Sequence, residues 1–334
     1  MGYVPMRRRD FITLIGGATA AWPLAARAQQ TGKLRHIGFV SAAVRPPALE
    51  RSLYAGLSHG MRQLGYVEGK DFVIEYRFAE GKYERFDDFA SEMVQLKVDA
   101  IVLATAAAVH AMQKATDAIP IVMGYSTDPV GNGFVASLAR PGGNTTGLAS
   151  SSDDATPKQL ELLAMTVPNL SRVGLLVNPD NPNYLPVLKA AMAAGQKAGI
   201  TLVPVEARNP EEVEIAFAAL RRENVGAILV LADGFLLSQR QRIMQLALRE
   251  RLPSMVPQRE FVEAGGLMSY GESLFEFYRR AASYVDKIFK GARPGDLPIE
   301  QPTRFNLVIN RITADVLGIT IPPQVYAFAD EVIE

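Results

Sequence analysis

The chain has no cysteine among its 334 residues. That absence removes disulfides, thiolate metal sites, thiol nucleophiles and a lipid-modified cysteine anchor together. An excess of either charge is missing too: 35 Lys and Arg balance 35 Asp and Glu. No basic field therefore exists to attract nucleic acid, and no helix-turn-helix pattern or basic arm precedes the folded part. Histidine is scarce, with three copies: His36 at a strand start, His59 and His110 in helices. None accompanies a G-x-S-x-G elbow or a second metal ligand, which argues against a hydrolase. What remains is an ordinary globular composition, 48% hydrophobic and 21% charged, with a length that suggests about two domains.

The N-terminal segment carries an address. Met6–Gln30, "MRRRDFITLIGGATAAWPLAARAQQ", has a basic head, an apolar middle and a small-residue end, the three parts of an export signal. Arg8-Arg9-Asp10-Phe11-Ile12 resembles the twin-arginine motif read by the bacterial Tat system. Ala26-Arg27-Ala28 fits an A-x-A site, so cleavage is expected after Ala28, with Gln29 as the first mature residue. Phe11 to Ala26 is shorter than the roughly 20 residues of a membrane span and is interrupted by Gly16, Gly17 and Pro23. Cleavage removes four arginines and Asp10, so a mature protein with three more acidic than basic residues is expected in the periplasm.

Beyond the leader, apolar runs alternate with amphipathic segments. His36–Ser41, Asp71–Ala79, Val98–Thr105 and Ile119–Thr127 read as strands, and Pro47–Leu64, Tyr83–Leu96 and Ala106–Thr116 as the intervening helices. The order begins again at Ser171–Pro182, with strands at Ile200–Ala207, Val225–Gly234 and Pro253–Gln258 and helices running to Ala198, over Pro210–Arg222 and up to Arg251. Gly265–Gly271 reads as a crossing segment before a helix from Glu272 to Lys290. Alternating β and α elements predict a mainly parallel sheet flanked by helices in each of two lobes. Glycines at 142, 143 and 147, and again at 265, 266 and 271, mark the junctions.

Open α/β sheets bind ligands beyond the carboxyl ends of their strands. The residues there are Ser41, Thr105, Tyr125, Ser126, Thr127, Asp128, Asn178, Asp233 and Tyr270. Polar side chains recur at these ends on both lobes, which points to a cleft rather than to one polar loop. Thr105, Ala106 and Ala107 offer a hydroxyl and helix-start N–H groups to an anion, or form only a tight strand-to-helix turn. Asp128 precedes Pro129 and also suits an Asx turn, and Asp233 suits a helix N-cap. Tyr125, Phe235 and Tyr270 offer aromatic walls, or belong to the core.

Several longer stretches carry a resemblance. Besides the leader, "GYVEGKDFVIEYRFAEGKYERF" (Gly65–Phe86), "DPVGNGFVASLARPGGNTTGL" (Asp128–Leu148), "REFVEAGGLMSYG" (Arg259–Gly271) and "GITIPP" (Gly318–Pro323) resemble, in this order, the ABC-transporter substrate-binding proteins. The resemblance implies a two-lobed type I periplasmic-binding fold, capture of a small solute, delivery to an inner-membrane ABC permease, and no catalysis or cofactor. It implies a monomer in which the chain crosses between lobes three times: residues 33–148 plus 272–300 form the N-terminal lobe, and 149–271 plus 301–334 the C-terminal lobe. By the same resemblance Asp128 corresponds to an acid that pairs with the ammonium of an amino-acid ligand, and Asp233 faces it from the other lobe.

Two other classes compete. Gly131-Asn132-Gly133-Phe134-Val135-Ala136 fits the G-x-G-x-x-A of an NAD-dependent oxidoreductase, with Asp153 at the expected distance. The context argues against it, because Asp128-Pro129-Val130 separates the glycines from the strand and Pro141-Gly142-Gly143 stops any helix early. The ligand-sensing domain of a membrane receptor is the other alternative, although no span or signalling segment accompanies it.

Overall fold

The computed structural model describes residues 33–151, 155–181 and 184–334. The export leader, its cleavage site and Asp153 lie outside the described residues. The first lobe is built on five parallel strands: β1 (Arg35–Ser41), β2 (Phe72–Phe78), β3 (Ala100–Leu103), β4 (Ile121–Thr127) and β5 (Thr145–Ser150), in spatial order β2-β1-β3-β4-β5. Ala100–Leu103 is buried throughout, as a parallel strand covered by helices on both faces requires. The covering helices here are α1 (Ala55–Gln63), α2 (Arg85–Leu96) and α3 (Ala106–Ala115).

The second lobe repeats this scheme. After α4 (Thr156–Thr166) come β6 (Arg172–Val177), α5 (Tyr184–Ala198), β7 (Thr201–Glu206), α6 (Pro210–Arg222), β8 (Ala227–Val230), α7 (Gly234–Ser238), α8 (Arg240–Arg249), β9 (Ser254–Val256), α9 (Arg259–Glu263) and β10 (Met268–Gly271). Helix α10 (Leu274–Phe289) follows, then β11 (Asn306–Asn310), α11 (Arg311–Leu317), α12 (Pro323–Ala327) and β12 (Glu331–Ile333). The order is β12-β11-β10-β9-β8-β6-β7, parallel except where β10 meets β11. In both sheets the chain reverses direction across the sheet beside the first strand, between β1 and β3 and between β6 and β8. Those are the topological switch points where open α/β sheets leave a crevice.

Helix α10 lies between β10 and β11 of the second sheet in sequence but packs on α1 and β4 of the first. The approach is close enough that a Cβ on Gly56 would stand 2.4 Å from the Phe275 carbonyl, and one on Gly60 2.3 Å from that of Arg279. Between the sheets, the Glu272 carboxylate accepts hydrogen bonds from the Ser150 hydroxyl and the Ser151 N–H, joining two of the connecting segments.

Four expected elements come out differently. The helix expected over Pro47–Leu64 is a 3₁₀ turn at Leu49–Arg51 followed by α1, because Ser52 Oγ donates to the Leu49 carbonyl and accepts the Tyr54 N–H at the break. The helix expected from Tyr83 begins at Arg85. The helix expected up to Arg251 is divided at Gln239 into α7 and α8. The segment Gly265–Gly271, expected as a crossing, contains β10, whose buried Met268 and Ser269 pair with β9 on one side and β11 on the other. The G-x-G-x-x-A segment is a series of turns with no helix, so it does not form a dinucleotide-binding βαβ turn.

Candidate functional site

A cavity of about 90 Å³ lies between the carboxyl ends of the two sheets. At well over the 10–15 Å³ or so that a single water needs, it has room for a small solute. From the first lobe it is lined by Ser41 after β1, by Ala104–Ala107 at the β3–α3 turn, and by Tyr125, Ser126 and Thr127 at the end of β4. From the second it receives Asn181, Ala232, Asp233, Gly234, Leu237 and Gln258. Ser41, Thr105, Ala106, Tyr125, Ser126, Thr127 and Asp233, all singled out from the sequence, thus share one cavity.

The polar groups on the first-lobe side are held locally. Ser41 Oγ accepts the Ala43 N–H at 3.2 Å, and Thr105 Oγ1 caps α3 by accepting the Ala108 N–H at 3.3 Å. The N–H groups at the start of a helix have no carbonyl partner within it. Ala106 and Ala107, the first residues of α3, line the cavity and carry almost no side chain. Ser126 is 1% exposed, and its hydroxyl has no hydrogen-bond partner among the described residues. Gln258, after β9, is 6% exposed, and its Oε1 also has none.

Aromatic rings form much of the wall. Tyr54, Tyr83, Tyr125 and Tyr278 all line the cavity. Tyr54 and Tyr278 stack with centroids 5.8 Å apart and planes 19° from parallel, and Tyr125 meets Phe277 edge to face at 5.3 Å. Burial pushes the Tyr54 hydroxyl up to about 12, with the Ser41 hydroxyl pulling it part of the way back. Burial likewise pushes Tyr278 and Tyr83 well above the usual range, the Asp233 carboxylate adding to the effect on Tyr83. All three rings are therefore neutral phenols at physiological pH.

Asp233 joins the lobes. Its Oδ1 accepts the Leu236 N–H at 2.9 Å and Asn178 Nδ2 at 3.2 Å, while its Oδ2 accepts Asn181 Nδ2 at 3.0 Å and the Tyr83 hydroxyl at 2.9 Å. Tyr83 comes from the first lobe and the other three donors from the second. Burial raises the Asp233 carboxyl above its ordinary value, against the opposing pull of those same donors. The contact extends on either side: a Cβ on Gly234 would meet that of Ala42 at 2.8 Å, and one on Gly81 would meet the Phe235 ring at 3.0 Å.

Four expected site residues lie outside this lining. Asp128 is exposed, with φ +39°, and its Oδ1 accepts the Gly131 N–H at 2.8 Å, which turns the chain after β4. Asn178 stands behind Asp233 and positions its carboxylate. Phe235, 3% exposed, packs between lobes against Gly81. Tyr270, half-buried against the core of the second lobe, stacks on Phe305 at 5.4 Å with planes 15° apart. The lining residues that sequence reasoning missed include Tyr54, Tyr83, Tyr278 and Gln258. The strand-end rule itself reaches Gln258 once β9 is ended at Val256.

With the geometry in place, comparison with known proteins is informative. The family model described as "ABC transporter substrate binding protein" matches residues 39–333. A tyrosine-binding protein from Clostridioides difficile is 26% identical over 288 residues, covering 85% of this chain and 81% of its own. Among solved structures, a conserved domain protein from Vibrio cholerae is 30% identical with a TM-score of 0.83, covering 90% of this chain and 100% of that one. A domain from Streptococcus pneumonia in complex with L-Trp is 26% identical with a TM-score of 0.81, over the same shares. The two-lobed architecture is that of the type I periplasmic-binding proteins. A match across nearly the whole folded part places the chain in the ABC transporter substrate binding protein family.

Proposed function

We propose that this protein is the periplasmic solute-binding component of an ABC importer, and that its solute is an aromatic amino acid or a close analogue. The observation that carries this reading is the cavity itself: four tyrosines and a helix start gathered where the switch points of both sheets face each other. A planar ring fits between tyrosine faces, and a carboxylate suits the N–H groups at the start of α3. The relatives named for tyrosine and solved with L-Trp support the same solute class.

Function follows from closure. Solute seated between the lobes adds contacts to both and stabilises their closed arrangement, and the joined surface is what a membrane permease docks against. In this reading the leader directs Tat export, and the mature monomer binds without metal or cofactor and turns nothing over. Residues 33–148 with 272–300 move as one lobe, and 149–271 with 301–334 as the other.

A thermal-shift series with the twenty L-amino acids, aromatic acids and small amides tests the reading. Binding to the native state alone contributes about 2.7 kcal/mol at a hundred times Kd. An aromatic amino acid is expected to raise Tm saturably. A series in which none does so, while another solute class does, would replace the proposal.

A further inference from the structure

Two side chains in the cavity wall have hydrogen-bonding capacity that no described protein group meets. Ser126 Oγ and Gln258 Oε1 are the buried side-chain atoms without a partner among the described residues, and both residues line this one cavity. A buried hydroxyl or amide oxygen left unpaired is costly, and native proteins keep few of them. The pair is also divided between the lobes, Ser126 lying one residue before the end of β4 in the first sheet and Gln258 following β9 of the second.

We propose that Ser126 and Gln258 are the polar anchors of the solute, one on each lobe, and that the solute carries no net charge. This rests on the cavity being the solute site. Gln258 Oε1 can only accept, so the solute presents an N–H or O–H group to it, as an α-ammonium would. Ser126 Oγ can donate, and with the Ala106 and Ala107 N–H groups it faces the opposite, anionic end. Asp233 is the sole carboxylate among the described lining residues, and protein donors already occupy both of its oxygens. No Lys or Arg stands among those residues. A net cation or anion would thus be desolvated there without a counter-charge, whereas the two ends of a zwitterion compensate each other. Because the anchors sit on different lobes, a solute that reaches both also holds the lobes together.

The test uses the purified mature protein and its Ser126→Ala and Gln258→Met variants, titrated calorimetrically with L-tyrosine and L-tryptophan. Each variant is expected to bind the better of the two at least about tenfold more weakly than wild type, the scale of one lost buried hydrogen bond. Wild type is expected to bind tyramine, a cation, and 3-(4-hydroxyphenyl)propionate, an anion, at least about tenfold more weakly than L-tyrosine. Melts without solute supply an independent readout: Tm stays level or rises in both variants, because no protein partner is lost. Wild-type affinity in either variant, tyramine bound as tightly as L-tyrosine, or a Tm several degrees lower without solute would overturn the assignment. If wild type binds neither amino acid, the amino-acid reading fails by itself, and the solute-free melts still decide whether these two groups have structural partners.

Discussion

Asp128 and Asp233 look alike in sequence. Each follows a buried strand, and each accepts the N–H three residues on: Gly131 at 2.8 Å for Asp128, Leu236 at 2.9 Å for Asp233. What separates them is their surroundings. Asp128 takes a left-handed φ of +39° and faces water, whereas Asp233 is extended at φ −157° and meets Asn178, Asn181 and a tyrosine from the opposite lobe. The same local capping role becomes a turn in one case and a link between lobes in the other. A carboxylate at a strand end is therefore not by itself a ligand partner; what packs over it decides.

The sharpest way to test this contrast is Asp233→Ala. It leaves the Tyr83 hydroxyl, two asparagine amides and the Leu236 N–H without their acceptor. Hydrogen bonds to a charged group contribute about 1.5–3 kcal/mol each, but water reaches some of the freed donors, so a net loss of about 3–4 kcal/mol is expected in urea unfolding. A loss under about 1 kcal/mol would mean that Asp233 is no more structural than Asp128.

Tyr83→Phe keeps the ring and removes only the bond across the lobes. Closure should weaken by about 1.5–3 kcal/mol, seen as a larger radius of gyration in solution scattering with solute present and as faster solute release. Unchanged scattering and release would confine Asp233 to its own lobe.

A third carboxylate, Asp99, sharpens the comparison through pH. Burial alone would raise its carboxyl, but the His36 N–H, Lys33 and Arg35, each 2.9 Å away, together hold it below the usual aspartate range. A depressed acid contributes stability that is present above its unfolded value near 3.8 and is lost as pH falls through the folded value. Asp99→Asn should cost about 1 kcal/mol at pH 7, and its gap from wild type should close as acid titrates the native carboxyl. Asp233, raised by burial, runs the other way: its ionisation lowers stability as pH rises through its folded value. A gap for Asp99→Asn that widens in acid would reverse the sign assigned here.

Much of this arrangement was legible in the sequence. Period and burial marked the strands, because a parallel strand between two helix layers must be apolar throughout, and β4 and α6 emerge within a residue or two of their expected bounds. The strand-end rule found Ser41, Thr105 and Ser126 because it depends only on where a strand stops. It failed where a side chain reaches the site from elsewhere. Tyr54 falls inside an expected helix that Ser52 breaks, Tyr83 reads as the first residue of the expected helix that becomes α2, and Tyr278 looks like any core residue of α10 until that helix crosses to the first lobe. The function of Asp233 was equally unreadable, since its partner Tyr83 is 150 residues away.

The smallest expected effect is also the most discriminating. Asparagine at 128 accepts the Gly131 N–H as aspartate does, and it tolerates φ +39° better than most residues. The turn has further support, because Asn132 Nδ2 donates to the carbonyls of Thr127 and Asp128 at 3.0 and 2.9 Å. Stability of Asp128→Asn should thus stay within about 0.5 kcal/mol of wild type, and affinity for the aromatic amino acid should be unchanged, since the lost charge faces water outside the cavity. A buried ammonium deprived of its counter-ion would instead cost about 2–5 kcal/mol of binding. Calorimetry on this one variant separates the two cases by more than an order of magnitude in Kd. A large loss of affinity at constant stability would mean that Asp128 swings inward when solute binds, and the contrast between the two aspartates would vanish.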